Sequence, residues 1–307
     1  MFNKVLITGA SGLVGRALTD SLIQQGYKLH LLSTQKSKVN TNSYPKTFHW
    51  DPMSNKLDLR SLEGIDSIIN LAGAPIAQRW NKAAKSEIIN SRVKSLKILA
   101  NHIKIHHFPV KYLVTASAIG IYANSLTQYY EEKQAQFSSN SFLSSVVQKW
   151  EAALGAFDNA DLKICILRIG IVLDANGGAL PKIMFPIKNY FGAALGTGSQ
   201  WQSWIHSEDL VGIFSHALKS KIEGVYNAVA PNPVQQSELT NAIARITSKP
   251  IYLPNVPQAV LKLILGEMSA IVLESQRVCS KKIQKTGFDF KFHEISAALE
   301  DLLRSQT

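Results

Sequence analysis

Val5-Leu6-Ile7-Thr8-Gly9-Ala10-Ser11-Gly12-Leu13-Val14-Gly15 stands almost at the start of the chain. An apolar run of strand character ends at Thr8. Glycines follow at positions 9, 12 and 15, and a helical pattern with Leu18, Leu22 and Ile23 on one face begins at once. A buried strand that turns tightly into a helix N-terminus is a place to hold phosphate. The first helical turn supplies unpaired N–H groups and the positive end of the helix dipole. Glycine lets the backbone turn sharply and approach a pyrophosphate with no Cβ in the way. Gly26 is placed to end the helix, and Leu29 to Leu32 reads as the next strand. Together these make a βαβ unit of about 30 residues, the length of a dinucleotide-binding unit. The glycine spacing departs by one residue from G-x-G-x-x-G, and three glycines can also cap an ordinary turn. The strand before them and the amphipathic helix after them favour the nucleotide.

Thr8, Gly9, Ser11, Gly12, Leu13, Val14 and Gly15 are therefore expected around the pyrophosphate. An NAD site usually places an acidic residue at the end of the second strand, on the ribose 2′-OH. Here that region is Leu31-Leu32-Ser33-Thr34-Gln35-Lys36-Ser37-Lys38, and no acidic residue occurs between Asp20 and Asp51. Hydroxyls at Ser33 and Thr34 and a cation at Lys36 or Lys38 would welcome a 2′-phosphate that a carboxylate would repel. NADP(H) is expected in preference to NAD(H). The alternative for Lys36 and Lys38 is a solvated loop.

The 307 residues suffice for one large or two smaller domains, and 46% are hydrophobic. No apolar run is long enough to span a membrane; the longest, Ala259 to Leu273, contains Lys262 and Glu267. The first strand leaves no room for a secretory signal. Two cysteines, Cys165 and Cys279, make no disulfide framework. A cytoplasmic protein is expected. The net charge of +11 is spread along the chain without an arginine-rich run, so an anionic ligand is a better reading than nucleic acid. His102, His106 and His107 fit a helix end rather than a metal site, and no H-E-x-x-H or G-x-S-x-G occurs.

Strands and helices alternate through the first half, which predicts a parallel sheet covered on both faces. Strands are expected at Ser67 to Leu71, Tyr112 to Ala116, Leu162 to Leu167 and Val225 to Val229. Helices are expected at Lys82 to His102, Ser141 to Phe157 and Val211 to Leu218. Asn176 to Trp204, rich in glycine and aromatics, reads as a pocket wall. The fold class is α/β: a Rossmann-type doubly wound parallel sheet with a smaller, mostly helical C-terminal substrate domain. Residues 1–173 plus about 205–230 would form the first, and about 174–204 plus 231–307 the second.

Four segments resemble the extended branch of the short-chain dehydrogenase/reductase superfamily: the glycine loop, Asn70-Leu71-Ala72-Gly73, Thr115-Ala116-Ser117-Ala118 and Leu167-Arg168-Ile169-Gly170. Others narrow the resemblance to an epimerase-family subgroup, whose members are often labelled epimerase/dehydratases, sugar-nucleotide epimerases or cell-division inhibitors. These are Ala74-Pro75-Ile76 with Arg79-Trp80, Trp204-Ile205-His206-Ser207-Glu208-Asp209-Leu210, Asn227-Ala228-Val229-Ala230-Pro231-Asn232-Pro233 and Gly287-Phe288-Asp289-Phe290. The resemblance covers nearly the whole chain. It implies that Gly9, Gly12 and Gly15 hold the pyrophosphate, that Asn70, Leu71, Ala72 and Gly73 pass the adenosine side, and that Ser117 hydrogen-bonds a substrate oxygen. The subgroup usually has arginine where Thr34 stands, for the 2′-phosphate. It also implies homodimers through the helices at 82–102 and 141–157.

Active relatives carry Tyr-x-x-x-Lys on the helix after the serine strand. The lysine lowers the tyrosine pKa, and the tyrosine moves a proton while the cofactor moves a hydride. Counting back from Glu151 places that pair at Leu143 and Val147, which carry no proton. Two replacements present themselves. Tyr122 lies just beyond Ser117, as a proton donor or as a packed aromatic. His206 is a shuttle or a structural residue paired with Asp209. Arg168 ends a strand at the cofactor edge, or is a buried structural charge. Arg79 and Trp80 follow the Asn70 strand, where Arg79 would hold an anionic substrate or form a surface salt bridge. Trp201 and Trp204 would wall a pocket for a small-molecule substrate that the sequence does not identify. Either the chain is an NADP(H)-dependent oxidoreductase or epimerase with a non-standard proton donor, or it is a non-catalytic NADP(H)-binding sensor or partner-binding protein.

Overall fold

β1 (Lys4–Thr8), the strand of the glycine motif, lies at the centre of an eight-stranded sheet. The computed structural model describes residues 4–134, 141–157 and 161–304. After β1 come α1 (Leu13–Gln24), β2 (Lys28–Ser33), β3 (Lys46–Asp51), β4 (Lys56–Leu57), β5 (Ser67–Asn70), α2 (Lys82–Ile105), β6 (Tyr112–Ala118), β7 (Tyr129–Tyr130), α3 (Phe142–Ala152) and β8 (Lys163–Ile169). β9 (Ile171–Asp174), β10 (Gly177–Gly178), α4 (Leu180–Lys188), β11 (Trp201–Gln202), β12 (Trp204–His206), α5 (Ser207–Ser220) and β13 (Gly224–Ala228) follow. The chain closes through β14 (Val234–Gln235), α6 (Gln236–Ile246), α7 (Gln258–Leu265), α8 (Ala270–Leu273), β15 (Arg277–Val278), α9 (Lys281–Gln284) and α10 (Ile295–Arg304).

The large sheet runs β13-β8-β6-β5-β1-β2-β3-β4, parallel except for the β3–β4 pair. From β1 the chain winds outward through β2 and β3, then returns to β5 on the other side of β1. The order therefore reverses between β1 and β5, and ligands of open α/β sheets bind in that crevice, beyond the carboxyl ends. β1 and β5 are buried nearly throughout, as strands covered on both faces are. α1 packs on α5, and α2 on α3. Most apolar residues of α2 and α3 face inward; among the large ones on α2 only Ile105 is more than a third exposed (58%). The expected helix over 141–157 divides into α3 and a 3₁₀ turn at Ala153–Ala156.

A second apolar cluster gathers Leu180, Met184, Trp204, Leu239, Ile243, Phe292 and Leu299. It joins α4, α6 and α10 around a three-stranded sheet ordered β10-β9-β12. The stretch read as a pocket wall thus supplies both core and wall. Among the described residues no helix is long and apolar enough to cross a membrane.

Candidate functional site

The glycine loop folds as its composition requires. Gly9 has φ +71°, and a Cβ there would stand 2.6 Å from the Leu71 carbonyl oxygen. At Gly15 a Cβ would meet the Gly9 oxygen at 2.2 Å, so these two glycines let β1, α1 and the β5 loop close on one another. Gly12 caps α1 without a side chain, and the first turn of α1 has no acidic residue. The N–H groups of Leu13, Val14 and Gly15 therefore lack intrahelical acceptors, at the positive end of the helix dipole. Beside this turn, Gly9, Ser11, Ser33, Thr34, Ala72 and Gly73 line a cavity of about 340 Å³, together with Asp51 and Glu87. Lys36 and Lys38 sit on an exposed 3₁₀ turn and do not line it.

Thr8 and Asn70 are corrected from cofactor contacts to scaffold. Both are fully buried. Thr8 Oγ1 donates to Asn70 Oδ1 at 2.7 Å and accepts from the N–H groups of Leu71 and Ala72, while Asn70 Nδ2 donates to Thr115 Oγ1 at 3.1 Å. This polar row ties β1, β5 and β6 together and sets Leu71-Ala72-Gly73 over the crevice.

A second row lies across β6, β8 and β13, where Ser117, Arg168 and Asn227 are register neighbours. Ser117 Oγ donates to Glu151 Oε1 at 2.6 Å. Arg168 grips the same carboxylate through Nε at 2.9 Å and Nη2 at 2.8 Å. Tyr122, 1% exposed, donates to Asn227 Oδ1 at 2.7 Å and accepts from Arg168 Nη1 at 3.2 Å. Burial raises the Tyr122 pKa above the ordinary phenol value, the opposite of what a proton donor needs. The roles expected for Ser117, Tyr122 and Arg168 are thus corrected: each spends its polar atoms within one network that includes Glu151 and Asn227, because a buried charge must be paired.

Ala118, Leu143 and Val147 line a different cavity, of about 190 Å³, and Leu143 and Val147 are the positions where the tyrosine and lysine of active relatives are expected. Its walls include Ile119, Gly120, Ile169 and Ile171, and Trp201 forms one side. Trp204 belongs instead to the second core, fully buried, with its Nε1 on the Asn232 carbonyl at 2.9 Å. Trp80 packs edge-on against Phe142 behind the cavity, and Arg79 is exposed on the loop before α2.

His206 is also corrected. Its Nδ1 accepts the Glu208 N–H at 3.0 Å and so caps α5. The ring stacks on Phe292 at 3.9 Å between centroids. Nε2 lies 3.4 Å from Asp301 Oδ2 but is too poorly aligned to hydrogen-bond it. Asp209, the partner considered from sequence, instead accepts from the Lys291 and Phe292 N–H groups. Burial lowers the His206 pKa and keeps the ring neutral.

Four residues that sequence reasoning passed over stand at these cavities. Arg92, on α2, lines the apolar cavity and lies directly under Gly73, whose Cβ would meet its Cζ at 2.9 Å. It therefore sits between the two cavities. Its Nη1 donates to the Ala74 and Ile88 carbonyls, and Cζ stands 5.1 Å over the Trp150 ring. Burial without a carboxylate partner pushes its pKa down to about 10. Trp150 lines the same cavity, and its Nε1 is a buried donor with no acceptor among the described residues. Glu274 contributes the cavity's only carboxylate among the described residues; Ser141 Oγ donates to Oε1 at 2.7 Å and Gln276 Nε2 to Oε2 at 3.1 Å. Glu87, one helical turn and a residue before Arg92, lines the 340 Å³ cavity beside the glycine loop. An arginine and glutamate five apart on a polar helix carry no local signal, nor does a glutamate that arrives from the C-terminal third. A bare helix N-terminus, a half-buried guanidinium with no carboxylate partner and an orphaned indole N–H suit a dinucleotide with its anionic middle and polar rings.

The NAD dependent epimerase/dehydratase family matches residues 5–228, and a domain of unknown function, DUF1731, matches residues 256–302. The chain is 35% identical over 299 residues to epimerase family protein SSP1921 of Staphylococcus saprophyticus, covering 97% of this chain and 98% of that one. It is 35% identical over 306 residues to the chloroplastic epimerase family protein SDR39U1 homolog of Arabidopsis thaliana, covering 98% and 86%. Human epimerase family protein SDR39U1 (isoform 2), crystallised with NADPH, superimposes with a TM-score of 0.86 at 30% identity, over 98% of this chain and 99% of that one.

Proposed function

The chain belongs to the NAD dependent epimerase/dehydratase family, and from that premise we propose that it is a cytoplasmic NADP(H)-dependent oxidoreductase or epimerase in which Glu274 carries the proton. Its substrate would be small or nucleotide-linked. The observation that carries this reading is the Glu274 carboxylate, fixed by Ser141 and Gln276 at a mostly apolar cavity. NADP(H), when bound, exchanges a hydride with a substrate carbon. The N–H groups of Leu13 to Gly15 would hold the pyrophosphate, and Ser33 and Thr34 would offer hydroxyls to a 2′-phosphate. Arg92 and Trp150 would offer donors to the bound dinucleotide, and the mostly apolar walls would keep water from the reacting centre. In the oxidising direction Glu274 accepts the proton of a substrate hydroxyl; in the reducing direction it returns it. NADP(H) is favoured over NAD(H) because no carboxylate ends β2, and the human relative was crystallised with NADPH.

A second reading, a non-catalytic NADP(H)-binding sensor or partner-binding protein, is favoured by Leu143 and Val147, which carry no proton. A panel of carbonyl and hydroxyl substrates, followed through nicotinamide absorbance, separates the two. The enzyme reading expects turnover of one substrate that falls by about a hundredfold or more in Glu274→Gln, with NADPH affinity unchanged. Turnover that survives in Glu274→Gln removes Glu274 from the role. NADPH binding with no turnover anywhere in the panel supports the sensor.

A further inference from the structure

One edge of the molecule carries large apolar side chains that nothing covers. Leu263 is 86% exposed, Tyr252 75%, and Phe185, Phe191 and Ile264 71% each. Single exposed leucines are ordinary, but a cluster of this kind marks a contact surface. Two chain segments bring them together. The run after α4 lies beside residues 249–256: Lys249 Nζ donates to the Tyr190 hydroxyl at 2.8 Å, Gly192 abuts Ile251, and Val256 exchanges backbone hydrogen bonds with Ala194 and Gly196. α7 then projects from Pro257 and buries only Leu261. Ala259 and Leu263, like Val260 and Ile264, stack one turn apart along its open side.

The charges within the two segments have one sign, and Glu267, on the turn that packs against α7, lies just beyond them and pairs with Lys85. Residues 179–191 and 245–265 contain Lys182, Lys188, Arg245, Lys249 and Lys262, and no aspartate or glutamate. None of the five forms an ion pair among the described residues. Arg245, Ser248 and Lys249 also line an open recess of about 440 Å³ at the margin of the apolar residues. We propose that this edge docks on an anionic lipid bilayer. Phe185, Phe191, Leu263 and Ile264 would enter the acyl boundary, with the cations among the headgroup phosphates. An exposed apolar helix with cations on it and on the adjoining segments matches that layered chemistry. Two copies of this chain would instead oppose the same five cations across their contact. The proposal is independent of the catalytic reading.

Flotation of the full chain with phosphatidylcholine vesicles, with and without phosphatidylglycerol, tests it. The protein should float with the anionic vesicles at low salt, and less so as salt rises. Lys249→Gln with Lys262→Gln should weaken the partition roughly tenfold, and Leu263→Asp with Ile264→Asp should abolish it. An unchanged melting midpoint and retained NADPH binding would show these exposed-site variants to be folded. No flotation with anionic vesicles at low salt would overturn the proposal. So would equal flotation with neutral ones, an undiminished Leu263→Asp/Ile264→Asp variant, or a dimer that this variant dissociates.

Discussion

Tyr122 has the right chemistry for a proton donor and the wrong neighbours. Its hydroxyl closes a network with Asn227, Arg168, Glu151 and Ser117, and burial raises its pKa. Tyr122→Phe should therefore cost about 1–2 kcal/mol of stability in urea unfolding and leave NADPH affinity untouched. Arg168→Met strands Glu151 and should cost more, about 3–5 kcal/mol. The opposite ranking, or a Tyr122→Phe variant that keeps its stability and loses turnover, would restore Tyr122 to the chemistry. From sequence the network is invisible, since Ser117, Tyr122 and Arg168 look alike whether they face a ligand or one another. The absence of the Tyr-x-x-x-Lys pair, by contrast, is fully legible at Leu143 and Val147.

The start of α5 shows the same ambiguity at the scale of an element. His206 ends β12 and caps α5 through its neutral Nδ1. Desolvation lowers its pKa first of all; the charges of Asp301, Asp209 and Glu208 oppose this and Lys291 adds to it. The unfolded chain, with an ordinary histidine near 6.5, binds the proton more readily than the folded one. The contribution of His206 is thus fully present above about pH 6.5 and is lost as pH falls through the depressed folded value. His30, His102 and His216 are lowered by burial too, so the comparison must be differential. His206→Asn keeps a side-chain oxygen for the Glu208 N–H. Its urea-unfolding free energy should fall less steeply than the parent's between about pH 7.5 and pH 5.5. Equal slopes would mean that this ring does not titrate with unfolding.

Across the whole molecule, cofactor binding and stability are one measurement. NADPH that binds only the folded state, at a hundredfold excess over its Kd, should stabilise the protein by about 2.7 kcal/mol. NADH at the same concentration should do less. Thr34→Arg, which restores the arginine usual at that position in the subgroup, should tighten NADPH by roughly tenfold and leave NADH unchanged. Equal stabilisation by both nucleotides would sink the preference. The α/β class, the glycine turn and the vacant Tyr-Lys positions were decided by the sequence alone. They rest on contiguous or periodic signals: apolar strands, glycines required at close approach, helix spacing. Only the tertiary structure decided that Ser117 meets Glu151 34 residues away and Tyr122 meets Asn227 across 105. It alone brought Arg92 and Glu274 to the same cavity. A polar side chain's role is set by the partner it finds, and when that partner arrives from a distant segment, no local pattern records it.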